Sequence, residues 1–395
     1  MNQEEITQFN DSLREQLQCI LQTIDPLFYH NYNFDSFLKT EIYIQYQDII
    51  EEEEFVTLYN KIIESLFLEN KWTNRSYLES DERFDHTNSN QEQIQYLKDV
   101  PQPAQKTPEW YEFRKKHLTG SNIWKVFSTP SAINQLIYEK LAPETGSFVK
   151  NNLSESPLNW GHKYEPLSSL FYEYFNDVVV EEFGCIPHKT IPFLAASPDG
   201  IVTSKKNNGR MIEIKNVVSR EITKIPKMEY YIQMQTQMEV CDLPDCDFVE
   251  TKFTEYESEY DFIKDKYNLK KGMIIVLIKN NDTFLYEYAP LFQNKESQLN
   301  AFIEETYAKY NIIDPSIAVN GVKWFRNIYW KLEQYSCVYV PRNKLWFEKA
   351  LPKMQEIWEK IIFEQNIEDS HLKYKSKKRK TPHEPNTPPI QVIHL

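Results

Sequence analysis

Three side chains of this 395-residue chain have the types and the spacing that metal-assisted hydrolysis requires. The stretch AASPDGIVTSKKNNGRMIEIKN, from position 195, sets Asp199 behind a proline and brackets Ile214 between Glu213 and Lys215. Side chains alternate faces along a strand, so Glu213 and Lys215 project together while Ile212 and Ile214 turn into a core. A preceding strand that ends in Ser-Pro-Asp can bring Asp199 beside them. Two carboxylates and the backbone carbonyl of Ile214 make a hard oxygen site suited to Mg²⁺, with Mn²⁺ as a substitute. A neighbouring lysine can orient or deprotonate a water and stabilise charge on a phosphate. Together they equip a site for phosphodiester hydrolysis. The rival reading is an Asp199 that caps a turn and an exposed Glu213–Lys215 ion pair, since solvated charge pairs are common.

The elements around these residues read as an α/β core with a mixed sheet. TPEWYEFRKKHLTGSNIWKVF opens with a threonine N-cap and a proline at the first helical position. LNWGHKYEPLSSLFYEYFNDVVVEEF reads as a helix running into a strand. FLAASPDGIVT and GRMIEIKNVV follow as strands joined by the polar turn SKKNNG. EYYIQMQTQMEVC reads as an amphipathic helix, and CDFVETKF and GMIIVLIK as further strands. The aromatic stretches VKWFRNIYWKLEQYSC and LWFEKALPKMQEIWEKIIF read as helices that pack back on the core. Before the core, ITQFNDSLREQLQCILQTI and EEEEFVTLYNKIIESLFLEN carry apolar residues at helical spacing, and TNRSYLESDERFDHTNSNQ reads as a polar linker. After it, LKYKSKKRKTPHEPNTPPIQVIHL is basic and then proline-rich, the composition of a disordered tail.

Composition narrows the function classes. Aromatic residues are plentiful, with 23 Phe, 25 Tyr and 8 Trp, so core burial is assured. No run of eighteen apolar residues is present, so a membrane span is not expected. The beginning of the sequence, MNQEEITQFND, lacks the apolar run of a secretory signal. The five cysteines are scattered and read as reduced thiols of an intracellular protein. The net charge of −13 is concentrated in residues 1–100, which hold 20 Asp and Glu against 7 Lys and Arg. The remainder is balanced and free to carry a local basic groove, which is what phosphate contacts depend on.

In this company the P-D…E-x-K arrangement resembles the PD-(D/E)xK nuclease superfamily, and within it the YqaJ-type viral recombinase and lambda-exonuclease-like family. The further motifs that carry the resemblance are Trp110-Tyr-Glu-Phe-Arg114, Thr119-Gly-Ser121, Gly161-His-Lys-Tyr-Glu165, Ser197-Pro-Asp199-Gly200 and Gln233-Met-Gln235. They run in the family's order between residues 107 and 240. The resemblance implies a restriction-endonuclease-like fold, a central mixed β-sheet flanked by helices. It implies that Asp199, Glu213, Glu165 and the Ile214 carbonyl hold the metal and that Lys215 serves the attacking water. Gln235, or its neighbour Gln233, would sit behind the site and position the lysine or the water; Gln235 is the preferred choice, with Gln233 otherwise grouped among the DNA contacts. Arg114, Thr119 and Ser121 would form a pocket for a terminal 5′-phosphate, against the plainer reading of an arginine paired with Glu109 or Glu112 and an N-cap at Thr119–Ser121.

The implied activity is a Mg²⁺-dependent 5′→3′ exonuclease on double-stranded DNA ends, serving viral DNA recombination, repair or replication in the infected host cell, in cytoplasm or nucleus. The implied partners are a single-strand annealing or single-strand-binding protein and further copies of the chain. Rival readings are a structure-specific endonuclease of the same superfamily and an inactive DNA-end-binding protein. Members with an iron–sulfur cluster are disfavoured by the cysteine pattern. His117 and His162 read as structural, Trp160 as core, and KSKKRK at 375–380 as an import signal or a nonspecific DNA contact. The expected organisation is an acidic helical region at 1–98, a nuclease core at 99–290, a helical segment at 291–366 and a tail at 367–395.

Overall fold

The computed structural model describes residues 3–23, 34–69, 90–143, 157–223, 225–266, 268–281 and 283–375. All but the last two residues of the linker expected at 73–91, and the tail beyond 375, lie outside them. Three helices come first: α1 (Gln3–Thr23), α2 (Phe34–Tyr46) and α3 (Glu52–Glu69). They bury Leu13, Leu17, Phe55 and Tyr59 in a core of their own. The acidic first turn of α3, Glu52 to Glu54, lies at the positive end of its helix dipole.

The chain then runs α4 (Gln91–Asp99), α5 (Pro108–Lys115), β1 (Leu118–Thr119), α6 (Gly120–Ile123), α7 (Pro130–Leu141) and α8 (Pro157–Asn176). Short strands β2 (Val180–Glu181), β3 (Ile186–Pro187), β4 (Leu194–Ala196) and β5 (Gly200–Val202) lead to β6 (Met211–Asn216) and α9 (Met228–Cys241). The remainder is β7 (Asp245–Glu255), α10 (Glu259–Lys264), β8 (Lys271–Lys279), β9 (Phe284–Tyr288), α11 (Glu296–Tyr310), β10 (Val322–Pro341) and α12 (Lys344–Gln365). Seven strands form one sheet in the order β2-β5-β6-β7-β10-β8-β9, and β1-β4-β3 form a small second sheet. The large sheet is mixed: β6 runs parallel to β7, and every other neighbouring pair is antiparallel. The α/β class read from the sequence is therefore the class observed.

Two expected elements come out differently. VKWFRNIYWKLEQYSC is not a helix but part of the twenty-residue β10, which pairs with β7 along one half and β8 along the other. Its Ile328, Trp330 and Leu332 are buried while Tyr329 and Lys331 between them are less so, the period of two that a sheet face imposes. FLAASPDGIVT is likewise two strands in two sheets, parted at Ser197-Pro198-Asp199, where proline has no N–H to continue a ladder. That interruption frees Asp199 for the site.

Candidate active site

Glu213 and Lys215 stand on one face of β6, and the Lys215 ammonium is ion-paired with Glu213. Ile212 and Ile214 lie buried on the other face with Val202 and Val249. The antiparallel register pairs Gly200 with Ile212, so the next step of that ladder sets Asp199 opposite Glu213. Asp199 Oδ2 accepts from the backbone N–H of Ile214 at 2.7 Å. The glycine after it is required by packing, since a Cβ at Gly200 would meet Val180 Cγ1 at 2.3 Å.

Glu165 approaches from α8. Asn216 at the end of β6 donates to the Gly161 carbonyl at 3.0 Å and accepts from Ser168 at 2.7 Å, which ties α8 over the carboxylates. Glu165 is ion-paired at 3.6 Å with Lys106. Lys106 has a left-handed φ of 65° in the loop before α5, a conformation that costs a non-glycine residue energy and is often found at functional sites.

Arg114 and Trp110 lie one turn apart on α5, whose N-terminus is capped by Thr107. The Arg114 guanidinium lies 4.1 Å from the centroid of the Trp110 ring and donates to Ser121 Oγ at 2.5 Å. Trp110 Nε1 in turn donates to Ser197 Oγ at 3.1 Å, linking α5 to the Asp199 loop. The expected rival partner, Glu112, is engaged with Lys116 instead. Beneath, the buried Lys140 donates to the carbonyls of Arg114 and His117 at 2.6 and 2.5 Å, closing the C-terminal end of α5. Burial, reinforced by Arg114, brings the Lys140 pKa down to about 7.

Asp199, Glu213, Ile214, Lys215, Glu165 and Arg114 line a single cavity of about 790 Å³, joined by Ser121 and Gln233. Two expected members do not reach it. Thr119 is buried, with its backbone N–H donating to Asn122 Oδ1 at 2.9 Å at the start of α6, so it caps the helix. Gln235, expected behind the site, faces away from it: it donates to the Pro341 carbonyl at 2.9 Å and accepts from the Asn343 N–H at 2.6 Å, which joins α9 to the β10–α12 turn.

The glutamine that meets the acidic pair is Gln237, whose Nε2 donates to Glu213 Oε2 at 2.8 Å and to the Ser197 carbonyl at 3.3 Å. Gln233 and Gln237 are four residues apart and share a helix face, whereas Gln235 points elsewhere. That spacing was visible in the sequence. Gly120 lets α6 approach this face, since a Cβ there would meet Gln237 Cγ at 3.2 Å.

Electrostatics set the character of the site. Burial, then the charges of Glu213 and Glu165, push the Asp199 carboxyl well above its ordinary value, against the opposing pull of Lys215 and the Ile214 N–H. Burial works against the Lys215 ammonium, but Glu213 and Asp199 outweigh it and hold the lysine pKa above its ordinary range. The buried Glu213 and the half-buried Asp199 share one lysine, an excess of negative charge that a hard divalent cation would relieve. Among the described residues no three His, Cys, Asp or Glu side chains group closely enough to form a complete ligand set. The donor set fits an ion such as Mg²⁺, which retains several of its own waters.

Residues 109–256 match the family described as the YqaJ-like viral recombinase domain, a span that takes in every motif from Trp110 to Gln237. An uncharacterized protein of Acanthamoeba polyphaga mimivirus is 31% identical over 308 residues, covering 68% of this chain and 54% of its own length. The chain thus spans about half of that relative. Among solved structures, an alkaline exonuclease from Laribacter hongkongensis shows 18% identity and a TM-score of 0.39, covering 66% of this chain and 94% of that one. A phage-related exonuclease from Haemophilus somnus shows 14% identity and a TM-score of 0.34, with 63% and 96% covered. No helix among the described residues is long and apolar enough to cross a membrane.

Proposed function

Because the chain carries a YqaJ-like viral recombinase domain over residues 109–256, we propose that it is a divalent-metal-dependent deoxyribonuclease that degrades double-stranded DNA from 5′ ends. The observation that carries this reading is the convergence of Asp199, Glu213 and Lys215 in a cavity that also receives Arg114 and Ser121. Asp199, Glu213 and the Ile214 carbonyl would hold Mg²⁺, or Mn²⁺ in its place, with Glu165 contributing through a water. That ion supplies Lewis acidity at the phosphate and eases deprotonation of a water.

The protein's own groups do the rest. Glu213 and Asp199 hold the Lys215 pKa above its ordinary range, and the ammonium is placed to orient the water and to stabilise charge on the phosphate. Gln237 fixes Glu213 from behind. The Arg114 fork, braced by Trp110 and Ser121, suits a terminal phosphate, which a guanidinium binds bidentately. Hydrolysis from that end leaves a 3′ single strand, a product suited to an annealing or single-strand-binding partner in viral recombination, repair or replication.

End-labelled linear duplexes and a covalently closed circular duplex, each incubated with Mg²⁺, with Mn²⁺ or with EDTA, test the proposal. Linear DNA should be shortened from its 5′ ends only when metal is present, and the circle should stay intact. Lys215→Ala should lower the rate by roughly 10²–10³ or more while end binding persists. A wild-type protein that digests no DNA with either metal overturns the reading, and nicking of the circle replaces it with an endonuclease.

A further inference from the structure

A second cationic corner of the cavity has no part in the chemistry above. Arg220, in the loop after β6, lines the cavity beside Lys215 and Tyr230. Its Nη2 donates to Glu250 Oε1 and its Nη1 to the Glu221 carbonyl at 3.2 Å. The Arg220 guanidinium lies 5.9 Å from the centroid of the Tyr230 ring, and Lys215 Nζ lies 5.0 Å from the same centroid. The two cations are therefore neighbours over one aromatic platform. Tyr230 is itself stacked on Phe248 of β7, at 5.6 Å between centroids, which gives the platform a rigid backing.

Glu250 explains why the arginine stays in place. It stands on β7 in register with Lys215, it is only 1% exposed, and its Oε2 has no hydrogen-bond partner among the described residues. A half-satisfied buried carboxylate is a poor device for stability, because removing two charges from water costs as much as the pair returns. Its visible effect is to hold a guanidinium at the cavity wall. A guanidinium has five donor hydrogens in a fixed fork. Arg220 uses one on Glu250 and one on the Glu221 carbonyl, and the rest have no partner among the described residues. Its side chain is 30% exposed, so the remaining donors are open to a ligand.

We propose that Arg220, oriented by Glu250 and backed by Tyr230, binds an internal phosphodiester of the strand being cut, at a subsite next to Lys215 and separate from the Arg114–Ser121 pocket. This rests on the nucleolytic reading above and adds a second anchor to it. One guanidinium takes the terminal phosphate from α5, and the other takes a phosphate further along the strand from the loop after β6. Held at two points, the strand presents a defined phosphodiester to the carboxylates rather than sliding through the cavity. Glu250 is a positioning residue here, since it acts through Arg220.

The test is a set of fluorescent 5′-phosphorylated duplexes in which single phosphodiesters near the 5′ end are replaced by neutral methylphosphonates. Binding is read by anisotropy in EDTA, and digestion is read with Mg²⁺. In the wild type, one internal replacement should weaken binding about tenfold, the value of a lost charge-assisted contact. In Arg220→Ala that position should fall silent while the others keep their effects, and the preference for 5′-phosphate over 5′-hydroxyl should be retained. Glu250→Gln, which preserves shape and bonding capacity, should show part of the same loss with an unchanged Tm.

An Arg220→Ala profile identical to the wild type overturns the proposal. If that variant melts early, Arg220→Lys and Glu250→Gln decide in its place, and unchanged profiles in both overturn it. Because the anisotropy arm needs no hydrolysis, the subsite stands or falls separately from the nuclease reading. Binding with an Arg220-dependent position but no digestion removes the nuclease alone. Digestion with a flat Arg220 response removes the subsite alone.

Discussion

Replacing Asp199 by Asn should stabilise the metal-free protein and inactivate it, and both halves of that outcome follow from the geometry. Asn retains an oxygen for the Ile214 N–H that Asp199 now accepts at 2.7 Å, and its amide can donate to Glu213. What disappears is the half-buried negative charge beside the buried Glu213. At an effective dielectric constant of ~20, unit charges a few ångströms apart repel by roughly 3 kcal/mol. Lys215, paired with Glu213, already offsets part of this, leaving a net gain of about 1–2 kcal/mol, within the range of typical stability–activity trade-offs. In EDTA at neutral pH this corresponds to a rise of about 2–4 °C in Tm for a chain of this size.

The pH dependence has a definite sign. The folded protein holds the Asp199 pKa above the ordinary 3.8, so its wild-type contribution is intact below 3.8 and is lost as pH rises through the folded value. The advantage of the Asn variant should therefore vanish in acid and grow toward neutrality. Mg²⁺ should invert the order. At a hundred times its Kd it adds about 2.7 kcal/mol to a protein that binds it, and the Asn variant has lost a ligand. Differential scanning fluorimetry in EDTA and in a Mg²⁺ series reads both effects. A variant less stable than the wild type in EDTA, or equal Mg²⁺ shifts in the two proteins, refutes the reasoning.

The two remaining predictions separate residues that the sequence alone confuses. Gln237→Ala strips a donor from the fully buried Glu213 and should lower kcat by about 10–100-fold, as losing a partner that orients a metal ligand does, with KM for DNA unchanged. Gln235→Ala should instead lower stability by about 1–3 kcal/mol, from the lost bonds to Pro341 and Asn343, and leave kcat alone; matching kcat losses in the two variants would refute the assignment. Arg114→Ala should weaken binding of 5′-phosphorylated duplex by about tenfold or more and leave the 5′-hydroxyl duplex unaffected. A preference that survives the substitution would mean that Arg114 and Ser121 do not receive the terminal phosphate.

What could be read from the sequence was local. Glu213 and Lys215 share a face because a strand repeats every two residues, and Trp110 supports Arg114 because a helix returns after four. The same rule picks Gln237 over Gln235, but α9 is buried at every position from Met234 to Met238, so no clean polar stripe marks the cavity side. The β10 segment reads as a helix because the strand is central: paired on both edges, it buries Cys337 and Val338 consecutively and carries shifts in register near Trp324 and Leu332. Those features blur an alternating pattern in the sequence. The ion pairs of Lys106 with Glu165 and of Arg220 with Glu250 join residues far apart in the chain. Only the register of β6 on β7 and the seating of α8 across β6 bring such partners together.

The same region of sheet treats buried charge in two opposite ways. Just before β6, Arg210 is fully buried, with Nε on Asp245 at 2.8 Å and Nη1 within 3.4 Å of Asp247. Asp247 accepts from the Tyr172 hydroxyl at 2.8 Å, which ties α8 to β7. One arginine between two aspartates with a tyrosine hydroxyl is a polar cluster whose members find partners within the protein. It fastens the start of the parallel β6–β7 pair to the helix that also carries Glu165. A few residues on, at Glu213 and Lys215, the strand enters the cavity and the balance fails: Asp199 and Glu213 crowd a single lysine. If buried charge served only to fix the register of β6, the first cluster would suffice and the second would be a liability. The second cluster is intelligible as a site whose missing positive charge arrives from outside. The fully partnered network at the start of the strand is what keeps an unbalanced one in place at its end.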